Sequence, residues 1–455
     1  MQTNDIEIEV LSEEEKREIR RQRRIRNQRM AIIGLIVSII VLVAVIVGGI
    51  FVINKQSEVK RQQQEIEEQL AAMESQAEEA VEEVIGEAST EVITEESVAQ
   101  EEYTEEEVLD DVVEAVISEM NLEEKVAGLF IVTPEAITGV DTAVQAGDGT
   151  KKALEQYPVG GLVYFKKNIQ SEEQIKKMIE NSISYCKYPL FIAVDEEGGE
   201  VSRLAESLKL DNVGDMADIG STGDATKAYE AMKTVGTYMA SYGFNLNFAP
   251  VADVLTNENN TSIGDRSFGS DATAVAGMVT SAMNGLEETG VTACMKHFPG
   301  LGDAADDTHN GLAVIDKSLD ELKQTELVPF ISAIDNGANM IMVGHMSLPQ
   351  IVGDNTPATM SKEVISDLLR SELGFNGVVI TDAMNMGAIT EYYGADEAAI
   401  KAFKAGADMV LMPEDFELAY EGVIAAVQDG TISEDRINDS LKRVFRIKYA
   451  DSVGE

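Results

Sequence analysis

Cations are scarce in this 455-residue chain: 36 Lys and Arg stand against 81 Asp and Glu, a formal net charge of −45. Nucleic-acid backbones are bound by clustered cations that displace counterions, so this balance argues against nucleic acid as a partner. Cysteine is almost absent, with only Cys186 and Cys294. Both fall in apolar segments that read as buried core, which leaves no disulfide framework and no cysteine-based metal site. Histidine occurs three times, as His297, His309 and His345, without a His-x-His pair or a His-Glu-x-x-His helix, so no zinc site is recognisable. A glycine fingerprint for a dinucleotide is also missing. The sequence implies no cofactor.

One stretch lacks charge altogether. Residues 30–53 are almost wholly apolar, and at about 1.5 Å per residue they are long enough to cross a hydrocarbon core of about 30 Å. The run exceeds the roughly 7 to 15 residues of a signal-peptide core, and no small-x-small cleavage site follows it, so it reads as an uncleaved transmembrane helix. Lys16, Arg17, Arg20, Arg21, Arg23, Arg24, Arg26 and Arg29 precede it and Glu dominates after it. The positive-inside rule then places the basic segment 1–29 in the cytoplasm and the rest of the chain outside the cell membrane. Between Gln62 and Glu124 there is no Lys or Arg. Residues 54–115 therefore read as an acidic stalk that cannot bury a core of its own. Ile66, Leu70, Met73, Ala77, Ala80 and Val84 follow coiled-coil spacing, but Glu at the flanking positions would make two such helices repel.

From about residue 116 to 455 the pattern becomes short apolar runs alternating with amphipathic stretches, the signature of a parallel sheet with crossover helices. The runs are 126–132, 161–165, 190–194, 245–249, 291–295, 340–343, 378–380 and 409–412. Helices fit between them: 171–186 opens with a capping box of Ser171 and Gln174, and 361–373 ends at Gly374. Eight such units predict an α/β fold closed as a (β/α)₈ TIM barrel, whose reactive groups sit where the strands end. Asp195, Lys296 and His297, His345, and Asp382 all stand where apolar strand character stops.

The segment 296–309, Lys-His-Phe-Pro-Gly-Leu-Gly-Asp-Ala-Ala-Asp-Asp-Thr-His, resembles the loop signature of glycoside hydrolase family 3, especially its single-barrel β-N-acetylglucosaminidase branch. Residues 195–199, Asp-Glu-Glu-Gly-Gly, with Val201 and Arg203, look like the family's third-strand motif. Asn-Phe-Ala-Pro-Val-Ala-Asp at 247–253, followed by Gly-Asp-Arg-Ser-Phe at 264–268, is similar to its fourth-strand region. Val-Ile-Thr-Asp-Ala-Met-Asn-Met at 379–386 resembles the strand that carries the nucleophile, and Asn-Leu-Glu-Glu-Lys at 121–125 the start of the catalytic domain. The likeness covers roughly residues 115 to 450, in order. Leu301 and Glu200 depart from it, standing where the family often has His and Arg.

The resemblance implies that Asp382 is the nucleophile, that His309 with Asp307 forms the acid/base dyad, and that Asp195, Arg266, Lys296 and His297 bind the sugar. It also implies a β-N-acetylhexosaminidase that removes terminal β-linked N-acetylglucosamine with retention, with peptidoglycan fragments or related cell-wall sugars as substrates. Retaining chemistry needs such a nucleophile and an acid that becomes a base. His345 reads as a brace from the sixth strand. About 40 residues follow the eighth run, so the acid is expected from a barrel loop rather than from a later domain. A β-glucosidase or an N-acetylglucosaminide phosphorylase of the same family, and a non-catalytic wall-glycan-binding protein, remain alternatives.

Overall fold

The computed structural model describes residues 104–304 and 311–450. Eight strands form the core: β1 Phe130–Val132, β2 Gly161–Val163, β3 Phe191–Val194, β4 Leu246–Asn247, β5 Thr292–Phe298, β6 Met340–Val343, β7 Val378–Thr381 and β8 Val410–Leu411. All pair in parallel, in the spatial order β7-β6-β5-β4-β3-β2-β1-β8. The ring closes between its outer members through the Ile380–Met409 bridge, the Thr381 N–H to the Met409 carbonyl (3.1 Å), and the Leu411 N–H to the Thr381 hydroxyl (3.1 Å). Every strand residue is buried, which explains why the strands read as continuous apolar runs rather than alternating ones.

The helices between them start where caps direct. Ser171, Asp271, Ser318, Asp415 and Ser433 each accept a first-turn N–H, an interaction worth about 1 kcal/mol. Helix Glu172–Ser184 shows only half of the expected capping box. Ser171 accepts from the Gln174 N–H, but the Gln174 side chain turns to the Gln170 N–H and to the Val144 and Asn168 carbonyls. The apolar run 126–132 is divided. Its first residues complete helix Leu122–Ala127, capped by Asn121, and only its end is strand. Cys294 is core, whereas Cys186 is half-buried, and both are free thiols.

Helix Glu105–Glu119 overlaps the end of the stretch read as stalk. It is opened by a Thr104–Glu107 capping box and buries Val113 and Ile117. Helix Glu434–Tyr449 lies against it, with Arg446 paired to Glu106 (2.7 Å) and Asp110, and Lys442 to Glu114 (2.8 Å). Exposed pairs of this kind contribute about 0–1 kcal/mol, so the buried aliphatic residues do most of the docking. The apolar run 30–53 and the stalk before 104 lie outside the described residues. Among the described residues no helix is long and apolar enough to cross a membrane.

β7 is fixed at its start by Asp408, which is fully buried. Asp408 accepts from the Val379 N–H (2.9 Å) and the Ser440 hydroxyl (2.8 Å), and faces Arg370, Arg436 (3.6 Å) and Arg443 (3.2 Å). One carboxylate thus gathers three guanidiniums from two helices, Glu363–Glu372 and Glu434–Tyr449. Asp408→Asn keeps the shape but strips that charge, and should cost about 3 kcal/mol in urea or thermal unfolding. An unchanged midpoint would contradict this view of the node.

Candidate active site

The site grows from the C-terminal ends of the strands. β5 carries Lys296 and His297 within its length, and its register against β6 shifts between Met295 and Phe298. A regular strand sends consecutive side chains to opposite faces. The irregular stretch instead lets both Lys296 and His297 line one cavity of about 450 Å³.

Lys296 is buried, and a buried ammonium must find counter-charge. It bonds Asp195, just past β3, at 2.7 Å and Glu197 at 2.6 Å. Glu197 is itself buried and takes a two-pronged bond from Arg266, Nε at 2.8 Å and one terminal nitrogen at 2.9 Å. Burial alone would push the Glu197 carboxyl up, but the charges of Lys296 and Arg266 outweigh it and hold the group well below the usual carboxylate range. Burial would likewise lower Lys296, and the Asp195 and Glu197 charges more than reverse this. Glu197, Lys296 and Arg266 are therefore ionised at neutral pH.

His297 is held by Asp253, a fully buried carboxylate. Asp253 lies 2.7 Å from His297 Nδ1 and also accepts the Leu301 N–H at 2.6 Å. With Asp253 as a carboxylate, Nδ1 carries the hydrogen and Nε2 is the atom left for the cavity. The chain after His297 needs its glycines: Gly300 has φ +128° and a methyl there would run into the Glu326 side chain, and a methyl on Gly302 would overlap the Val254 carbonyl.

Asp382 follows β7 and lines the same cavity. Its N–H donates to the Val343 carbonyl (2.8 Å), and its Oδ1 accepts from the Ala383 N–H (2.7 Å). Burial favours the protonated carboxyl, but His297, His345, the Ala383 N–H and Lys296 together keep it below its ordinary value. His345 braces this turn, with Nε2 at 2.9 Å from the Ala383 carbonyl and Nδ1 at 3.0 Å from the Thr359 hydroxyl.

Five residues singled out in the sequence, Asp195, Arg266, Lys296, His297 and Asp382, thus share one cavity. Asp307 and His309 fall within 305–310, outside the described residues. Glu197, Asp253 and Arg203 stood inside the quoted motifs without a role. A lysine in a strand calls for buried carboxylates, which is a signal for Glu197 but not for Asp253, the partner of His297. Arg203 lines the cavity, and its Nε is buried without a hydrogen-bond partner.

Comparison with known proteins bears on this geometry. A sequence model described as "Glycosyl hydrolase family 3 N terminal domain" matches residues 121–447. The chain is 34% identical over 328 residues to β-hexosaminidase A of Pseudoalteromonas piscicida, covering 65% of this chain and 54% of that protein. It thus spans about half the length of that relative. It is also 34% identical over 282 residues to a β-hexosaminidase of Stenotrophomonas maltophilia, covering 61% of this chain and 81% of that one. Among solved structures, a glycoside hydrolase family 3 β-N-acetylglucosaminidase from Paenibacillus sp. superposes with a TM-score of 0.68 at 36% identity, covering 74% of this chain and 64% of that one.

The Glu197 carboxyl titrates lower in the folded than in the unfolded chain. The stability it contributes is therefore full above the ordinary glutamate value of about 4.3 and is lost as pH falls toward the folded value. Glu197→Gln should cost about 3 kcal/mol at neutral pH, and the gap to the parent should narrow below ~pH 4 in thermal melts. A gap that stays constant down to ~pH 3 would rule out this electrostatic role.

Proposed function

The chain belongs to glycosyl hydrolase family 3, and on that premise we propose that it is a retaining exo-β-N-acetylglucosaminidase using Asp382 as nucleophile, with peptidoglycan fragments or related cell-wall sugars as substrates. The observation that carries this reading is the ionised carboxylate of Asp382 in a cavity shared with Asp195, Arg266, Lys296 and His297. These side chains retain bonding capacity for a sugar. Lys296 uses two of its three N–H donors on Asp195 and Glu197, which leaves one, and Arg266 keeps two of five after Glu197 and the Ser262 carbonyl. Asp195, half-buried, can accept from hydroxyls on its remaining lone pairs. The named activity of the matched β-hexosaminidases and of the Paenibacillus enzyme supports N-acetylglucosamine as the sugar.

In the first step Asp382 attacks the anomeric carbon, the glycosidic C–O bond breaks, and the His309 imidazolium gives its proton to the departing oxygen. Asp307 steadies that cation. That transfer leaves His309 neutral, and with Asp382 esterified and its negative charge gone the imidazole stays neutral until it takes a proton from the attacking water. Water then opens the ester and restores Asp382. The catalytic domain works outside the cell membrane, held by the 30–53 anchor and the acidic spacer. This topology is supported by the basic residues before the apolar run.

Release of p-nitrophenol from the N-acetylglucosaminide should far exceed release from the glucoside, with free sugar as product whether or not phosphate is present. Phosphate-dependent formation of a sugar 1-phosphate would identify a phosphorylase instead, and glycan binding without turnover a non-catalytic protein. His309→Ala should lower the rate on a poorly activated aryl glycoside by about 10²- to 10⁴-fold, the range of general acid catalysis. A parental rate would refute the dyad.

A further inference from the structure

The end of the barrel opposite Asp382 holds a second cavity, of about 420 Å³, that no step above uses. It opens among the first residues of the strands, with Phe191 at the start of β3, Thr292 at the start of β5 and Asn339 just before β6. Leu109 of helix Glu105–Glu119, Lys448 of helix Glu434–Tyr449, and Glu287 at the end of helix Ala272–Glu287 complete its wall. Three charged side chains line it, and one of them, Arg446, is paired with Glu106 (2.7 Å) and Asp110. Lys448 and Glu287 form no ion pair among the described residues, either with each other or with a third group. Lys448 donates to the Gly160 carbonyl (2.6 Å) and lies over the rings of Phe191 and Phe445, 4.7 and 5.8 Å from their centroids, so two of its three N–H donors are unused. Glu287 accepts from the Ala293 N–H (3.1 Å) and from Asn339 Nδ2 (3.2 Å), neither of them charged. Burial accordingly pushes the Lys448 ammonium down to about 7 and the Glu287 carboxyl up, as it does for charges without counterparts.

We propose that this cavity is a binding site for a small zwitterion of the amino-acid or short-peptide class, whose carboxylate is taken by Lys448 and whose ammonium is taken by Glu287. One cavity holds a cation that lacks an anion and an anion that lacks a cation, and a molecule carrying both charges supplies both counterparts at once. A simple anion would satisfy Lys448 alone and would meet the repulsion of a chain with a net charge of −45, whereas a zwitterion has no net charge to repel. Leu109 and Phe191 give an aliphatic side chain an apolar surface, and the volume is within the range of small-molecule pockets. A ligand held there touches the first helix, the last helix and the strand starts together, so its binding energy adds to the docking of helix Glu105–Glu119 on the barrel. The site is independent of the role given to Asp382.

The test uses the full chain and a series in which the two charges move apart: alanine, alanyl-alanine and trialanine. Calorimetric titration, with N-acetylglucosamine present to occupy the active site, is expected to show a member of this series binding at one site per chain. Its N-acetyl and C-terminal amide derivatives each lack one charge and should bind at least about 10-fold more weakly, the loss that accompanies one charge-assisted hydrogen bond. Lys448→Met and Glu287→Gln should each weaken the free probe by a similar factor while leaving the circular-dichroism spectrum unchanged, and Lys448→Arg should keep the binding. The blocked probes interrogate the parent protein itself, so the outcome does not hang on the variants folding. Absence of binding by all three probes up to about 10 mM overturns the proposal. So does binding that is indifferent to both blocking groups, or to both Lys448→Met and Glu287→Gln.

Discussion

Lys296 is the residue on which the site depends. An ammonium on a barrel strand, taken out of water, has a desolvation cost of several kcal/mol that only close counter-charge can offset. Asp195 and Glu197 supply it from the end of β3, and Arg266 balances the second carboxylate from the loop after β4. Two anions and two cations neutralise each other within hydrogen-bond distance, so the ends of β3 and β5 and the loop after β4 are tied together around the cavity. A polar surface for hydroxyl groups is thereby set before any ligand arrives, and its donors need no reorganisation as charge shifts in a reaction.

Around that cluster His297 and Asp382 each have a support that does not itself line the cavity. Asp253 orients His297, and His345 holds the Ala383 carbonyl next to Asp382. β7 is fixed at both ends, at its start by the Asp408 node and at its finish by the Asp382 N–H bond to β6. Asp382 therefore cannot drift relative to Lys296 and His297, and the electrostatics that keep it ionised follow from that rigidity.

Much of this was legible in the residues. The eight apolar runs correspond to the eight strands because parallel strands buried on both faces leave an uninterrupted aliphatic record. What failed was local. The run from Val126 to Val132 spans both a helix end and a strand, and hydropathy alone cannot divide it. Helix Glu105–Glu119 looked like solvated stalk because its cationic partners, Lys442 and Arg446, are more than 300 residues away in sequence. The strand pair Glu196–Gly198 and Val201–Ser202 is too short to show any period. In the site, Asp195, Arg266, Lys296, His297 and Asp382, which line one cavity, were visible through their motifs, while Glu197 and Asp253, which pair with Lys296 and His297, became apparent only once burial was known.

Retaining hydrolysis through Asp382 requires that its carboxylate become bonded to the sugar. Incubating the full chain with a 5-fluoro N-acetylglucosaminyl donor, which slows breakdown of the ester, followed by peptide mapping by mass spectrometry, tests it most directly. One added glycosyl group is expected on the peptide containing Asp382. Label on another carboxylate would contradict it, as would complete turnover without any covalent adduct.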